Sequence, residues 1–293
     1  MALEIFRTPD ERFTGLPGYD FAPHWHYEAG LRMHYVDEGA GEPVVLFHGE
    51  PTWAYLYRKM IPLLVAAGRR VVCPDYPGFG RSDKPTDPRW YSYERHVDHV
   101  SGLLGSLYLR GATVVVQDWG GPIGLRWAVE NAERVARLVI LNTGLFTGRV
   151  SKGFMAWRDF AERTPDLPVG FVVQSATTTE LPGDVVAAYD APFPNPESKA
   201  GAARFPLIVP ISEESEGAAE MRAVADELSR WDKPALVAFS DRDPVFPYPR
   251  SGELFFDLIP GAGEQVRIEG AAHFLQEDRG EQIAEEIIGF SAR

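Results

Sequence analysis

Residues Gln117-Asp118-Trp119-Gly120-Gly121 stand between a β-branched run, Thr113-Val114-Val115-Val116, and a stretch of helical character from Ile123 to Asn131. A buried strand that turns within a few residues into a helix belongs to a parallel sheet with helices laid over its faces. The residue at the apex of this turn is a carboxylate, and that decides the chemistry. A serine that displaced a group from an alkyl carbon would end as an ether, which a base-activated water does not cleave. An aspartate forms an ester instead, and a histidine-activated water can attack that ester at its carbonyl. Asp118 therefore points to displacement at sp³ carbon. Read alone, it is equally well explained as a turn residue capping the helix that follows.

The same alternation recurs along the chain. Leu31 to Val36 alternates as a strand, and Asp37-Glu38-Gly39-Ala40-Gly41 reads as a turn. Val44 to Phe47 is a short apolar strand of the buried kind. Ala54 to Ala67 is helix-like, Arg70 to Cys73 a strand, and Tyr93 to Leu109 a helix by the spacing of Val97, Val100, Leu104 and Leu107. Arg137 to Leu141 is a further strand. Residues 146–226 differ: they hold eight prolines, little strand signal and short helical pieces. Strands return at Pro234 to Ser240 and Gln265 to Ile268, and a helix from about Gln276 to Phe290 closes the chain. We read one α/β core, 1–145 and 227–293, with a mostly parallel central sheet and helices on both faces. A helical cap, 146–226, interrupts it as a lid over a site would.

A chain of 293 residues, 45% apolar and 24% charged, can build a sizeable soluble core. Its 29 basic against 42 acidic residues give a net charge of −13, which argues against nucleic acid and anionic membrane surfaces as partners. The single cysteine, Cys73, excludes an intrachain disulfide. The segment Met1 to Arg7 lacks the basic and apolar stretches of a leader, and no apolar run approaches the roughly 20 residues of a membrane span. The expected location is the cytoplasm.

The strand–turn–helix around Asp118 resembles the nucleophile elbow of the α/β-hydrolases, which normally carry serine there. That fold keeps its base on the loop after the last strand, where Ala271-Ala272-His273-Phe274 lies. An isolated histidine is more often a satisfied surface residue, and His24, His26, His34, His96 and His99 are read so. His96 and His99 share a helix face, but no carboxylate or cysteine pattern beside them makes a metal site. Ser240-Asp241-Arg242-Asp243-Pro244-Val245 directly follows a strand, and an acid there would fix the tautomer of His273 and stabilise its imidazolium. Asp243 is preferred to Asp241, which reads as a solvated turn residue. Nucleophile Asp118, acid Asp243 and base His273 then follow the chain order of the fold. The loop His48-Gly49-Glu50-Pro51-Thr52-Trp53 supplies one oxyanion N–H in such hydrolases, and the residue after the nucleophile supplies the other. These are the backbone amides of Glu50 and Trp119, each donor worth on the order of 3 kcal/mol.

Segments along nearly the whole chain extend the likeness: His48 to Trp53, Tyr55-Leu56-Tyr57-Arg58-Lys59-Met60-Ile61-Pro62, Gly78-Phe79-Gly80-Arg81-Ser82-Asp83-Lys84-Pro85, Val116 to Gly121, Ala191-Pro192-Phe193-Pro194 and His273-Phe274. Together they resemble the haloalkane dehalogenases, most closely the subfamily of the 1,2-dichloroethane enzyme. The resemblance implies that Asp118 attacks the halogen-bearing carbon while two indole N–H groups hold the departing halide. Trp119 matches the first, and Gly153-Phe154-Met155-Ala156-Trp157 resembles the stretch that carries the second, Trp157. Phe154, Phe205, Pro206, Val209, Val245 and Phe274 match positions lining the family's substrate pocket. No cofactor and no metal are implied; the partners are a small apolar halogenated substrate, water and the halide ion, and the chain is expected to act as a monomer. Pro122 departs from the pattern where the dichloroethane enzyme has an aromatic. Another branch of the family uses an asparagine in the His-Gly-x-Pro loop and a glutamate after the sixth strand; here Glu50 and Asn142 stand at those places.

Three other readings are weaker. An epoxide hydrolase with this elbow needs a proton donor at the alkoxide, usually paired cap tyrosines, and only Tyr189 lies between 146 and 226. A fluoroacetate-type dehalogenase needs cations beside the nucleophile, where Trp119 stands. A non-catalytic scaffold need not keep Asp118, Asp243 and His273 together.

Overall fold

The computed structural model describes residues 3–148 and 150–292, so Met1 and Ala2 of the opening segment lie outside the described residues. In chain order the first part comprises β1 (Ile5–Phe6), β2 (His24–Glu28), β3 (Leu31–Gly39), β4 (Glu42–Phe47), α1 (Ile61–Ala66), β5 (Arg69–Pro74), β6 (Lys84–Pro85), α2 (Tyr93–Ser106), β7 (Ala112–Val116), α3 (Gly120–Glu130) and β8 (Val135–Leu141). Five helices follow: α4 (Lys152–Arg163), α5 (Val169–Ser175), α6 (Gly183–Asp190), α7 (Ala200–Ile208) and α8 (Ala218–Leu228). The chain closes with β9 (Ala235–Ser240), α9 (Arg250–Leu258), β10 (Ala262–Ile268) and α10 (Leu275–Ser291).

Eight strands form one sheet in the order β10-β9-β8-β7-β4-β5-β3-β2. From β5 to β10 neighbours are parallel; β3 runs antiparallel to both β5 and β2. All five residues of the central β7 are buried, as covering both faces of a strand requires. The carboxyl ends of β4, β7, β8 and β9 therefore open on one edge, where ligands bind in open α/β sheets. None of the described helices is long and apolar enough to cross a membrane.

Several sequence expectations need correction. The strand from Leu31 continues past the turn expected at Asp37, because β5 pairs with it as far as Gly39 and Arg70 donates two hydrogen bonds to Asp37, of 2.8 and 2.6 Å. The helix expected over Ala54 to Ala67 breaks into a 3₁₀ turn, Ala54–Tyr57, and α1, and Asp75 fixes the turn by accepting the Ala54 N–H at 2.8 Å. His34, His96 and His99 are buried rather than superficial. His34 Nδ1 meets Asp75 at 2.8 Å, and the two ring nitrogens of His96 face the carbonyls of Ser92 and Pro77 at 2.8 and 3.1 Å.

Candidate active site

Asp118 sits where β7 gives way to α3, with φ of +50°, a left-handed conformation that is costly for a side chain other than glycine. Its surroundings over-determine it. The Asp118 N–H donates to the Asn142 carbonyl at 2.8 Å, and its own carbonyl accepts the Thr143 hydroxyl at 2.5 Å. The loop after β4 passes so close that a Cβ on Gly49 would lie 2.3 Å from the Asp118 Cβ, and one on Gly120 would lie 2.2 Å from the Phe47 carbonyl oxygen. Only glycine allows the two loops to meet. That approach brings the Glu50 N–H to Asp118 Oδ1 at 2.8 Å. The Trp119 N–H makes no hydrogen bond among the described residues and stays open at the start of α3.

His273 lies on the loop between β10 and α10, and Asp243 on the loop after β9. His273 Nδ1 meets Asp243 Oδ2 at 2.9 Å, while Nε2 faces Asp118 Oδ2 at 3.6 Å. Asp243 is fully enclosed, and its other oxygen accepts the Val245 N–H at 2.7 Å. Burial disfavours a charged His273, but the Asp243 charge, hydrogen bonding to Asp118 and Asp243, and the Asp118 charge outweigh it and lift its pKa to about 10. Asp241 accepts the Gly270 N–H and pairs with Arg267, both at 2.8 Å, so it braces the loop rather than standing solvated.

A cavity of about 490 Å³ opens above these groups. Its wall includes Asp118, His273, Glu50, Trp157, Phe154, Val245 and Phe274, with exposed Phe160 and Phe171 contributing as well. Phe205, Pro206 and Val209, expected there, are off the wall. Helix α7 turns Phe205 toward the core, against Phe79, His96 and Trp119 at ring separations of 4.8, 4.6 and 5.0 Å, and the Pro206 carbonyl accepts from Arg158 at 2.8 Å. Trp119 is likewise buried behind the wall, 3% exposed. The half-buried indole of Trp157 stands on the cavity wall and is turned toward the Glu50 carboxyl, while that of Trp119 packs against Phe146 and Phe205. No group of three or more metal-ligating side chains occurs among the described residues.

Three residues that sequence reasoning missed hold this arrangement together. The Asn142 side chain donates to Ser240 Oγ and to the carbonyls of Ala272 and His273, and accepts the Ser240 N–H at 2.9 Å. Gln117 Nε2 stands 3.3 Å from both the ring and the carbonyl of His273. The Asp278 carboxylate accepts the N–H groups of Ala272, Thr178 and Thr179 at 2.8 to 3.0 Å. A polar residue ending an apolar strand is the signal that Asn142 offered.

The geometry combines a carboxylate nucleophile, a His–acid pair and backbone donors on one sheet edge. Comparison with known proteins agrees with it. Residues 42–280 match a family model described as the alpha/beta hydrolase fold. A haloalkane dehalogenase from Mycobacterium marinum is 49% identical, over 98% of this chain and 100% of that one. One from Psychrobacter cryohalolentis is 46% identical over 98% of each chain. Among solved structures, the tetrameric haloalkane dehalogenase DpaA from Paraglaciecola agarilytica superposes with a TM-score of 0.92 at 35% identity, over 97% of both chains. The chain belongs to the haloalkane dehalogenases of the α/β-hydrolase fold.

Proposed function

We propose that this enzyme hydrolyses small haloalkanes to a primary alcohol, halide and a proton through a covalent ester on Asp118. The observation that carries the reading is the placement of His273 Nε2 3.6 Å from Asp118 Oδ2, with Asp243 behind the ring and Oδ1 already held by the Glu50 amide. Oδ2 is the oxygen left to attack carbon in line with the halide. Trp119 and Trp157 offer their indole N–H groups to the leaving anion, beside the apolar wall of the cavity. Alkylation removes the negative charge of Asp118, and with it part of what keeps the proton on His273. The imidazole can then release that proton and act as the base for water. Water attacks the ester carbonyl, and the charge that develops on Oδ1 falls to the Glu50 and Trp119 amides. Asp243 stabilises the imidazolium formed in this second step.

Residues 146–226 act as a cap over the cavity, tied to the core by the Asp278 contacts and by Phe274 N–H donating to Ala176 O at 3.2 Å. Phe154, Val245 and Phe274 shape the apolar part of the pocket, with Phe205 supporting Trp119 from behind. The enzyme works as a cytoplasmic monomer, a reading supported by the net charge of −13, which keeps copies apart. Replacing His273 by Phe tests the mechanism. The variant should still be alkylated by 1-bromobutane and should accumulate a butyl ester on Asp118, seen by intact-mass and peptide analysis. An unmodified Asp118 after exposure would refute it.

A further inference from the structure

Glu50 is the acid on the cavity wall whose side chain the mechanism above does not use. The residue is 4% exposed, and its Oε1 is buried with no hydrogen-bond partner among the described residues. Trp157, assigned above to the leaving group, points its indole N–H toward this carboxyl, an interaction that favours the charged form but is outweighed by burial. Two adjacent buried carboxylates are not both charged at acceptable cost, and Glu50 is the one without a donor on Oε1. Burial first, and then the charge of Asp118, push its pKa well above the carboxylate range, against the opposing pull of His273 and Trp157. A carboxylic acid O–H thus stands beside the indole that faces the departing group. Other hydroxyls are committed elsewhere: Ser175 on the wall donates to the Val172 carbonyl at 2.8 Å, and Tyr189 donates to Glu277.

A departing halide needs no proton, whereas a departing alkoxide does. We propose that Glu50 is the general acid of a second activity of this site, the hydrolysis of small terminal epoxides to vicinal diols. The inference rests on the roles given above to Asp118 and Trp157. In the first step Asp118 Oδ2 bonds to the unsubstituted ring carbon and the ring C–O bond breaks. Its electron pair stays on oxygen, which takes the Glu50 proton and leaves Glu50 as a carboxylate. With Asp118 esterified, the His273 imidazolium passes its proton to Glu50; water then attacks the Asp118 carbonyl and gives one proton to the imidazole. The diol departs, and His273 is again the imidazolium it was at the start. One epoxide and one water are consumed for one diol, and every group returns to its starting state. In dehalogenation Glu50 keeps its proton throughout.

The test uses the full-length His273→Phe enzyme, which halts at the ester, with 1,2-epoxybutane and 1-bromobutane as probes. The epoxide should add its whole mass to Asp118. Combining Glu50→Gln with the trap should slow that labelling by about 10²–10⁴-fold, the usual contribution of a general acid, beyond any change in labelling by 1-bromobutane. Labelling of Asp118 by 1-bromobutane but not by the epoxide would overturn the proposal, as would an equal slowing of both by Glu50→Gln. Failure of 1-bromobutane itself would instead sink the dehalogenation mechanism. A measurement needing no Glu50 variant guards against misfolding: in the His273→Phe enzyme, epoxide labelling should fall at high pH as Glu50 loses its proton, while 1-bromobutane labelling does not follow. The groups facing Glu50 in that experiment are Asp118 from the elbow and Trp157 from α4, with Arg242 on the same cavity wall. Superimposable pH profiles would overturn the proposal.

Discussion

A carboxylate in a left-handed turn, held by its neighbours' backbone, is a poor capping residue and a well-placed nucleophile. Asp118, Asp243 and His273 were legible in the sequence because each lies just beyond a strand, where position in the chain fixes position in the fold. Trp157 was legible only by likeness, since one tryptophan in a helix has no pattern of its own. Its place on the cavity wall gives it a measurable role. Trp157→Phe removes one donor to a charged ligand, worth roughly 1.5–3 kcal/mol, so bromide affinity should fall about 10- to 100-fold. Quenching of the remaining tryptophan fluorescence by bromide measures it, and unchanged affinity would remove Trp157 from the halide site. Asn142 showed only as a polar residue ending an apolar strand, and Asp278 was not legible, because its cap partners, Thr178 and Thr179, lie far away in the chain. Hydrophobic pattern and motif spacing carry no record of such bonds.

At the scale of elements, the strands that follow β-branched runs were readable, and the departures came where side chains overrode local preference. Asp75 capturing the Ala54 N–H broke a helix that spacing alone predicts. The most consequential element is the loop carrying His273. Asp278, in the first turn of α10, binds this loop through Ala272 and the cap through Thr178 and Thr179. Asp278→Ala leaves those amides without their acceptor and should cost about 2 kcal/mol of stability, visible as a lower melting temperature. Because the loop holds the base and not the nucleophile, ester hydrolysis should slow more than alkylation in single-turnover experiments. Equal slowing of both steps would show that Asp278 does not position His273.

Over the whole molecule, buried titratable groups set how stability follows pH. His34, His48 and His96 are held neutral chiefly by burial, and His96 is lowered to about 4. Each takes up its proton in the unfolded chain near pH 6.5 but not in the folded one, so stability falls as pH drops from about 6.5 toward 4. His273 has the opposite sign: raised to about 10, it adds stability that is complete below about 6.5 and is lost as pH rises through 10. Lys84, lowered by burial to about 7, offsets this, since between about 7 and 10.5 the folded form has lost its proton while the unfolded form still holds one, so stability rises with pH there. The urea midpoint should therefore decline between pH 7 and 4.5, and a constant midpoint there would contradict the assignment. In His273→Phe the midpoint should fall less with rising pH than in the parent enzyme, because the His273 contribution is gone.

Segment 146–226 is tied to both catalytic loops. Thr178 and Thr179 bind the base loop through Asp278, and on the other side Ser151 Oγ donates to the Val245 carbonyl at 2.9 Å, next to the loop that carries the acid. Through these contacts the helices of 146–226 and the His273–Asp243 pair brace one another. Phe160 and Phe171 are 40% and 63% exposed and also belong to the cavity wall. Rotation of such rings takes picoseconds to nanoseconds, far faster than a hinge. Wall residues that turn this quickly let the cavity adjust its apolar surface to a molecule while the groups around Asp118 stay fixed.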